Sequence, residues 1–360
     1  MLRELSSLAL RAANGAPDVL GASPLDLAAV AERSPSYREG AFVNLEPSSH
    51  TGLTPEQRRA LVRGLVVGAA DQKPPTPVPL VVPDAAVAAG PLAATWYGHS
   101  SVLIEVDGYR VLADPVWSKR CSPSRAVGPQ RLHPVPVALT ALPQVDAVII
   151  SHDHYDHLDV DTVVALARQQ SDAVFLVPLG IGAHLRTWGV PEHRITELDW
   201  CESTQLGELR VVCTPARHFS GRFLNRNTTL WSSWALIGPT HQAFFGGDTG
   251  YTKSFADIGA EFGPFDLTLM PIGAYHPGWP DVHMNPEDAV RGHLDLNSGQ
   301  RSDSLLLPIH WATFRLAPHP WSEPVERLLA AAASEPIRLT VPKPGQRIDS
   351  ASTTEPWWRV

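Results

Sequence analysis

Ser151-His152-Asp153-His154-Tyr155-Asp156-His157 is the most informative stretch of this sequence. It follows the apolar run Asp146-Ala147-Val148-Ile149-Ile150, a pattern that predicts a buried strand. Alternate residues at the end of a strand point the same way, so His152 and His154 can bind one metal ion. Asp156 and His157 lie on the next turn and can bind a second ion. We therefore interpret the heptapeptide as part of a metal site, and a solvated polar loop is the less favoured alternative.

Three later residues are candidate ligands for the same reason: each stands just beyond the end of a predicted apolar strand. They are His218, Asp248 and His310. A single histidine is more often structural, and the Gly-Gly-Asp-Thr-Gly sequence around Asp248 alone is more often a turn. Combined with the heptapeptide, however, they complete a set of histidines and aspartates of the kind that binds divalent metals.

The donor set predicts two ions. We expect one ion to be bound by His152, His154 and His218, the other by Asp156, His157 and His310, with Asp248 bridging them. A carboxylate suits the bridge because each of its oxygens can bind one ion, whereas a neutral imidazole offers one lone pair. The predicted cofactor is two Zn²⁺ per chain, although other divalent metals fit the same donors.

A pair of such ions predicts hydrolytic chemistry. Two ions about 3.5–4 Å apart can share a water, lower its pKa and present a bridging hydroxide as nucleophile. Asp248 is therefore a catalytic candidate as well as a ligand. Neither a G-x-S-x-G serine elbow nor a P-loop is found, so the sequence supports neither an acyl-serine intermediate nor nucleotide-driven transfer.

Composition limits the partners. With 44% hydrophobic and 18% charged residues among 360, the chain can bury a large core. A net charge of −8 without a basic cluster argues against nucleic acid as a partner. No apolar run approaches the ~20 residues of a membrane span, and the one within residues 1–16 is too short for a signal peptide. Three cysteines without C-x-x-C spacing favour reduced thiols, hence a cytoplasmic location.

The chain divides at its proline-rich segment. Residues 1–83 are expected to form an N-terminal lead-in, with one helix and a Pro-rich connection, that packs on a catalytic domain of residues 84–360. Thr54-Pro55-Glu56-Gln57 predicts a capped helix start, with the helix continuing to about Ala70. Beyond residue 93, strand and helix patterns alternate, which predicts a layered α/β architecture. Predicted strands cover residues 93–97, 102–106, 109–113, 173–177, 194–198, 208–214, 230–237, 242–245, 267–270 and 304–309. Asp107-Gly108, between the second and third of these strands, predicts a tight hairpin. Predicted helices cover 160–169 and 181–188, with others starting near 285 and 322.

Several sequence blocks carry a family resemblance. They include Trp96-Tyr97-Gly98-His99-Ser100-Ser101-Val102, Ala113-Asp114-Pro115-Val116-Trp117, Gly247-Asp248-Thr249-Gly250-Tyr251, Pro271-Ile272-Gly273-Ala274-Tyr275, His283-Met284-Asn285-Pro286-Glu287 and Ile309-His310-Trp311. Together with the ligand pattern, these blocks resemble the metallo-β-lactamase fold superfamily. Within it they are similar to N-acylphosphatidylethanolamine-hydrolysing phospholipase D and its bacterial relatives, from about residue 36 to residue 321.

This resemblance implies an α/β (α+β) fold, the four-layer αββα sandwich. It also implies a zinc phosphodiesterase that cleaves N-acylphosphatidylethanolamine to N-acylethanolamine and phosphatidic acid. All seven metal-ligand positions of the family are present. His283 occupies the place of a family histidine connected with catalysis, where it would orient the phosphate or protonate the leaving alkoxide. A helix-flanking surface histidine is the alternative.

Two aspartates and a group of tryptophans refine this interpretation. Asp114 ends a strand and is expected to accept a hydrogen bond from a metal-bound imidazole, although a structural turn before Pro115 is equally compatible. Asp153 stands where the animal enzyme has a neutral amide and adds negative charge near the metals. Five tryptophans are expected either to line an acyl-chain groove or to be buried in the core: Trp231, Trp234, Trp279, Trp311 and Trp321.

Other functions remain compatible with the same site. A lactonase or esterase acting on a soluble substrate, including a phosphorylated one, would use the same metals, because fold does not fix function. A non-enzymatic metal or lipid carrier would need its open metal positions blocked. The expected partner is a phospholipid or small-molecule ester, with peripheral membrane contact in the lipid case. Assembly into a homodimer is compatible with the sequence.

Overall fold

The computed structural model describes residues 18–48, 53–66, 68–223, 225–298 and 303–359. Its strands, in chain order, are β1 (Tyr37–Arg38), β2 (Ala41–Phe42), β3 (Leu92–Gly98), β4 (Ser101–Val106), β5 (Tyr109–Ala113), β6 (Ala147–Ile149), β7 (Val174–Pro178), β8 (Ile195–Leu198), β9 (Ser203–Leu206), β10 (Leu209–Thr214), β11 (Ser233–Ile237), β12 (Gln242–Phe245), β13 (Leu267–Pro271), β14 (Leu305–Ile309), β15 (Arg338–Leu339) and β16 (Arg347–Ile348). The α-helices are α1 (Pro24–Ala31), α2 (Pro55–Val66), α3 (Val160–Gln169), α4 (Ile181–Thr187), α5 (Ser254–Phe262), α6 (Pro286–Leu296) and α7 (Glu323–Ala332).

Two seven-stranded sheets make up the centre of the described part of the chain. The first has the order β16-β3-β4-β5-β6-β7-β8, and the second has the order β15-β14-β13-β12-β11-β10-β9. Apolar side chains from both sheets join one buried cluster; Ile104 and Ile149 come from the first, and Val211 and Phe244 from the second. Helices cover the outer faces, so the predicted αββα sandwich is confirmed.

Strand direction determines where the polar strand ends gather. β5, β6, β7 and β8 are parallel to one another. In the second sheet β12, β13 and β14 are parallel, and β10 runs the same way because β11 is antiparallel to both of its neighbours. The carboxyl ends of these strands therefore share one edge in each sheet, where the histidine-rich heptapeptide, His218, Asp248 and His310 follow.

Local sequence signals account for most element boundaries. Asp107-Gly108 forms the predicted tight hairpin, with Val106 opposite Tyr109. α3 spans the predicted residues 160–169 and buries Val163 and Leu166 on the apolar cluster outside the first sheet. The capping box of α2 is present, since Gln57 N donates to Thr54 Oγ1 and Thr54 N donates to Gln57 Oε1. α2 nevertheless ends at Val66 rather than near residue 70, and Gly68 adopts a left-handed φ of 70°, which breaks helical geometry.

The predicted strand at residues 230–237 is shorter in the structure, because its first residues link other segments. Leu230 N donates to Leu179 O and Ser232 N donates to Ser151 O, so this stretch bridges towards the first sheet before β11 begins at Ser233. The helix α5 and the edge strand β9 were not predicted. The helix α5 begins after Lys253, whose side chain does not cap it, so no capping signal marks its start. The strand β9 has four residues whose side chains stay largely in solvent, which leaves no apolar alternation to detect.

The N-terminal residues pack on the rest of the chain where the structure describes them. Phe42 N donates to Asn227 O, and Val81 N donates to Pro344 O. The division at residue 83 remains a prediction, and the expectation for residues 1–16 lies outside the described residues. All three cysteines are free, as expected. Within the described ranges, no helix combines the length and apolar character needed to cross a bilayer.

Candidate metal centre

One group of donors matches the first predicted ligand set. His152 and His154 come from the loop after β6, and His218 follows β10 of the opposite sheet. Their ring nitrogens lie within 4.8 Å of one another. His154 Nδ1 is 2.7 Å from His152 Nε2 and 3.3 Å from His218 Nε2. The two sheets thus bring together residues that are more than sixty positions apart in sequence.

A second group contains Asp156, His157 and His310, the other predicted set. Asp156 Oδ2 lies 3.4 Å from Nε2 of His157 and 3.4 Å from Nε2 of His310. The structure adds His99 to this group, with its Nε2 2.9 Å from Asp156 Oδ2. These donors are buried or nearly so and converge at one point.

Asp248 lies between the two groups. Its Oδ2 is 3.0 Å from His310 Nε2 and 3.2 Å from His157 Nε2. The same oxygen is 3.8 Å from His218 Nε2 and 4.0 Å from His152 Nε2 in the first group. This central position is the one that a carboxylate shared by two ions requires.

Unsatisfied buried atoms indicate that the donors fit metal ions. Nε2 of His157, Nε2 of His310 and Oδ1 of Asp248 are buried and have no hydrogen-bond partner among the described residues. The His157 and Asp248 side chains are within ion-pair distance but lack hydrogen-bond geometry. Leaving such atoms unpaired costs about 1–3 kcal/mol each, and a cation accepts their lone pairs. The cluster is therefore a candidate binding site for divalent metal.

The electrostatics of the cluster favour bound positive charge. Burial raises the pKa of Asp248, but His157 and His310 outweigh it and hold that pKa well below its usual range. Burial lowers the pKa of His310, yet Asp248 and Asp156 raise it to about 9. In the first group, burial holds the pKa of His152 well below normal, so that imidazole is neutral and able to act as a ligand.

Asp114 supports the second group from behind. Its Oδ2 lies 2.7 Å from His157 Nδ1, the ring nitrogen that faces away from Asp248. Ser151 donates to the same carboxylate through its backbone N–H at 2.7 Å and its hydroxyl at 2.6 Å. This arrangement fixes the orientation of the His157 ring through a buried carboxylate.

His99 was not singled out from the sequence. It follows β3 and has a left-handed φ of 56°. Its backbone is held by Trp96 Nε1, which donates to His99 O at 2.7 Å, and by Thr313 Oγ1, which accepts from His99 N at 2.6 Å. Its ring also packs 4.1 Å from the His310 ring, centroid to centroid. Two sequence signals were present: its place at a strand end, as for Asp114, and its place in the block of residues 96–102 that carries the family resemblance.

Asn44 is a second residue that the sequence did not point to. Its Nδ2 donates to His218 O at 2.8 Å, and its Oδ1 accepts from His218 N at 3.0 Å. Trp231 Nε1 donates to the same Oδ1 at 2.9 Å. The amide of Asn44 therefore fixes the backbone of His218 from a segment that is 174 residues away in sequence.

Asp153 lies next to the proposed ligands but is engaged elsewhere. Its Oδ1 accepts from Gly221 N at 2.6 Å, and its Oδ2 lies 3.7 Å from His184 Nε2. Arg222, fully buried, donates to the backbone oxygens of Asp153 at 2.8 Å and Leu158 at 2.9 Å. The Arg222 guanidinium lies close to Asp153 without bonding its carboxylate, and its charge partly offsets the negative charge expected near the metals.

A cavity of about 440 Å³ opens beside the donors. His283 lines it, with Nδ1 3.8 Å from Asp248 Oδ2 and its ring centroid 5.0 Å from that of His218. Burial lowers the pKa of His283 to about 4. Trp279 lines the same cavity, whereas the core buries Trp231, Trp234, Trp311 and Trp321.

Comparison with known proteins agrees with this fold. The sequence profile of the Beta-lactamase superfamily domain matches residues 109–311. Fold and donor clusters define a metal-dependent hydrolase of the metallo-β-lactamase fold. The chain belongs to the beta-lactamase superfamily.

Two related proteins are similar to this chain over much of its length. A Mycobacterium tuberculosis protein whose name states no activity is 62% identical over 354 residues, covering 98% of this chain and 94% of its own. The N-acyl-phosphatidylethanolamine-hydrolyzing phospholipase D 1 of Caenorhabditis elegans is 38% identical over 234 residues, 62% of this chain and 64% of its own. The predicted resemblance to that family is confirmed, although the match spans less than two thirds of the nematode protein.

A solved structure supports the fold alone. Igni18, a metallo hydrolase of the archaeon Ignicoccus hospitalis, superposes with a TM-score of 0.54 at 22% identity. The match covers 71% of this chain and 97% of that one. The archaeal protein therefore shares the sandwich fold.

Proposed function

We propose that this protein is a phosphodiesterase of phospholipase D type that cleaves N-acylphosphatidylethanolamine-like lipids to N-acylethanolamine and phosphatidic acid. The observation that carries the proposal is the convergence of two donor groups on Asp248 beside a cavity lined by His283. The name of the nematode relative supports the lipid phosphodiester as substrate class.

The proposed ion-binding residues are those predicted from the sequence. One ion would be held by His152, His154 and His218, and the other by Asp156, His157 and His310, with Asp248 shared. When bound, zinc or similar divalent ions supply a Lewis acid and a water of lowered pKa. The chain keeps these donors in place through Asp114 behind His157 and Asn44 behind His218.

His283 is placed to act on the substrate. Its Nδ1 is buried without a hydrogen-bond partner in the described part of the chain, and its ring forms part of the cavity wall. An imidazole in this place can donate a hydrogen bond to a phosphate oxygen or pass a proton to the leaving alkoxide. Both roles require that the reacting phosphate occupy the cavity next to Asp248. Proton donation also requires that the negative charge of the bound phosphate raise the pKa of the imidazole from about 4.

Apolar side chains near the cavity support a lipid substrate. Leu45 is 60% exposed and follows Asn44, which lines the cavity. Phe223 is 51% exposed and lies on the segment between His218 and Arg226, two further lining residues. Exposed large apolar residues next to a polar cavity suit contact with a bilayer surface, which is our proposal for the peripheral membrane contact.

A product analysis tests the proposal. The metal-loaded protein, with its metal content measured by elemental analysis, is incubated separately with vesicles of N-acylphosphatidylethanolamine, with vesicles of unacylated phosphatidylethanolamine and with a neutral lactone. We expect mass spectrometry to detect N-acylethanolamine and phosphatidic acid, with loss of activity on chelation and recovery on adding Zn²⁺. Ring-opened lactone as the only product would replace the phosphodiesterase with the lactonase alternative.

A matched pair of variants ties the activity to the candidate centre. Asp248→Asn removes the central charge, so both activity and metal content should fall. Asp84→Asn changes an exposed aspartate just after the proline-rich connection and should retain both. Full lipid cleavage by Asp248→Asn would place the reaction outside the centre.

A further inference from the structure

The cavity beside the donor clusters contains an arginine that the proposed mechanism does not use. Arg226 is exposed and lines the cavity together with His218 and His283. None of the described residues that line this cavity has a carboxylate side chain. No described carboxylate forms an ion pair with Arg226. The Arg226 guanidinium thus faces the cavity as an uncompensated positive charge.

Neighbouring arginines differ in this respect. Arg217 lies 3.2 Å from the carboxylate of Asp281 and also donates to the backbone of Tyr251. Arg222 is buried and uses its guanidinium on backbone oxygens. Of these three cations, Arg226 is the one left to meet a ligand from solvent.

An aromatic ring holds the guanidinium close to the donors. Arg226 Cζ lies 4.9 Å from the ring centroid of Phe219, a cation–π contact. The Phe219 ring is in turn 4.6 Å from the His154 ring and 4.7 Å from the His218 ring, centroid to centroid. One aromatic side chain therefore separates the guanidinium from two proposed metal ligands, and the contact reduces the freedom of the arginine.

We propose that Arg226 forms an anion subsite beside the metal centre, which binds a phosphate or carboxylate oxygen of the substrate and selects anionic over neutral substrates. This inference rests on the proposed function and deepens it by naming the charge of the substrate class. A guanidinium binds two oxygens of one anion in parallel, which a lysine ammonium does not. The subsite also offsets the repulsion that a chain of net charge −8 exerts on an approaching anion.

The kinetic test uses two substrates with the same leaving group, anionic bis(4-nitrophenyl) phosphate and neutral 4-nitrophenyl butyrate. In Arg226→Gln we expect kcat/KM to fall about tenfold on the phosphate, mainly through KM, and to change less than about twofold on the butyrate. Arg226→Lys should be intermediate. Arg168→Gln, which changes an exposed arginine of α3, is the matched control and should behave as wild type. Parallel losses on both substrates in Arg226→Gln would overturn the subsite.

A binding measurement tests the subsite without turnover. Inorganic phosphate is titrated calorimetrically into the metal-loaded wild type, Arg226→Gln and Arg168→Gln, with metal content and circular dichroism checked first. We expect Kd to rise about tenfold in Arg226→Gln alone, and an unchanged Kd would refute the subsite. If the wild type cleaves the butyrate but no phosphodiester, the phosphodiesterase proposal fails, and the phosphate titration still decides the role of Arg226.

Discussion

Asp114 Oδ2 lies 2.7 Å from Nδ1 of His157, while Nε2 of the same ring lies 3.2 Å from Asp248. A carboxylate behind a metal-binding histidine fixes its tautomer and raises its basicity. We therefore expect Asp114→Asn to weaken metal binding by about 10–100-fold. Competition with a chelating dye of known zinc affinity measures the change.

A second aspartate–histidine pair in the same chain provides the control. Asp107 Oδ1 lies 2.7 Å from His241 Nδ1, at the β4–β5 hairpin and outside the donor clusters. Asp107→Asn should leave metal affinity unchanged. If Asp114→Asn also bound metal like the wild type, Asp114 would be a structural turn residue.

His99 should control one of the two ions. Because its Nε2 is 2.9 Å from Asp156 Oδ2, we expect His99→Ala to release the ion held by Asp156, His157 and His310 more readily than the other. Elemental analysis after dialysis against a weak chelator should show about one ion per chain where the wild type keeps about two. His193→Ala, at an exposed histidine, should keep the wild-type content. Equal retention in both variants would leave His99 without influence on metal binding.

His283 should affect turnover and not metal content. It lines the cavity and is not one of the seven predicted ligands. If it donates a proton or a hydrogen bond to the reacting phosphate, His283→Ala should lower kcat by about 10²–10⁴. Steady-state assays on the lipid substrate, with metal content measured in parallel, test this. Wild-type turnover in a fully metal-loaded His283→Ala would remove the residue from the mechanism.

An ion pair far from the centre predicts a pH-dependent stability. Arg347 binds Glu105 through two hydrogen bonds of 2.9 and 2.8 Å and so joins β16 to β4. Burial raises the pKa of Glu105, but the hydrogen bonds from Arg347 and from Gly90 N–H outweigh it and hold that pKa below the ordinary value of 4.5. A carboxyl whose pKa is lower in the folded state stabilises the fold fully above the unfolded value, and this contribution is lost as the pH falls through the folded value.

Glu105→Gln should therefore unfold more easily than the wild type at pH 7, by about 1–2 kcal/mol because Arg347 is partly in solvent. The gap should narrow below pH 4.5. Denaturant unfolding at several pH values measures the gap, with Glu208→Gln at an exposed site as control. A gap that did not change with pH would mean that Glu105 acts through packing and not through its charge.

The sequence predicted much of the site because its signals are local. Apolar runs identified the strands, and the polar residue after each run identified His218, Asp248 and His310 as a set. Parallel strands bring their carboxyl ends, and the polar residues that follow them, to one edge of each sheet. The alternation of predicted strands and helices already implied such parallel strands. The sequence also predicted the hairpin at Asp107-Gly108 and the helix at residues 160–169 from residues that are close together in the chain.

What the sequence did not show depends on long-range contacts. Asn44 binds the backbone of His218 from 174 residues away, and nothing in its neighbours points to this contact. His99 has no second histidine near it in sequence, so its contact with Asp156 appears only when β3 and β6 share a sheet. Asp153 was expected to add charge near the metals, yet its contacts with Gly221 and His184 depend on segments that only the folded chain brings together.

The donors come from both sheets, since His157 follows β6 of one and Asp248 follows β12 of the other. Ions bound between them would fasten the two halves of the sandwich at this edge. Any ligand that binds only the folded chain raises the free energy of unfolding in proportion to the logarithm of its free concentration. Scarcity of divalent metal in the cell would then shorten the lifetime of the protein as well as its activity, so that metal supply would govern its abundance.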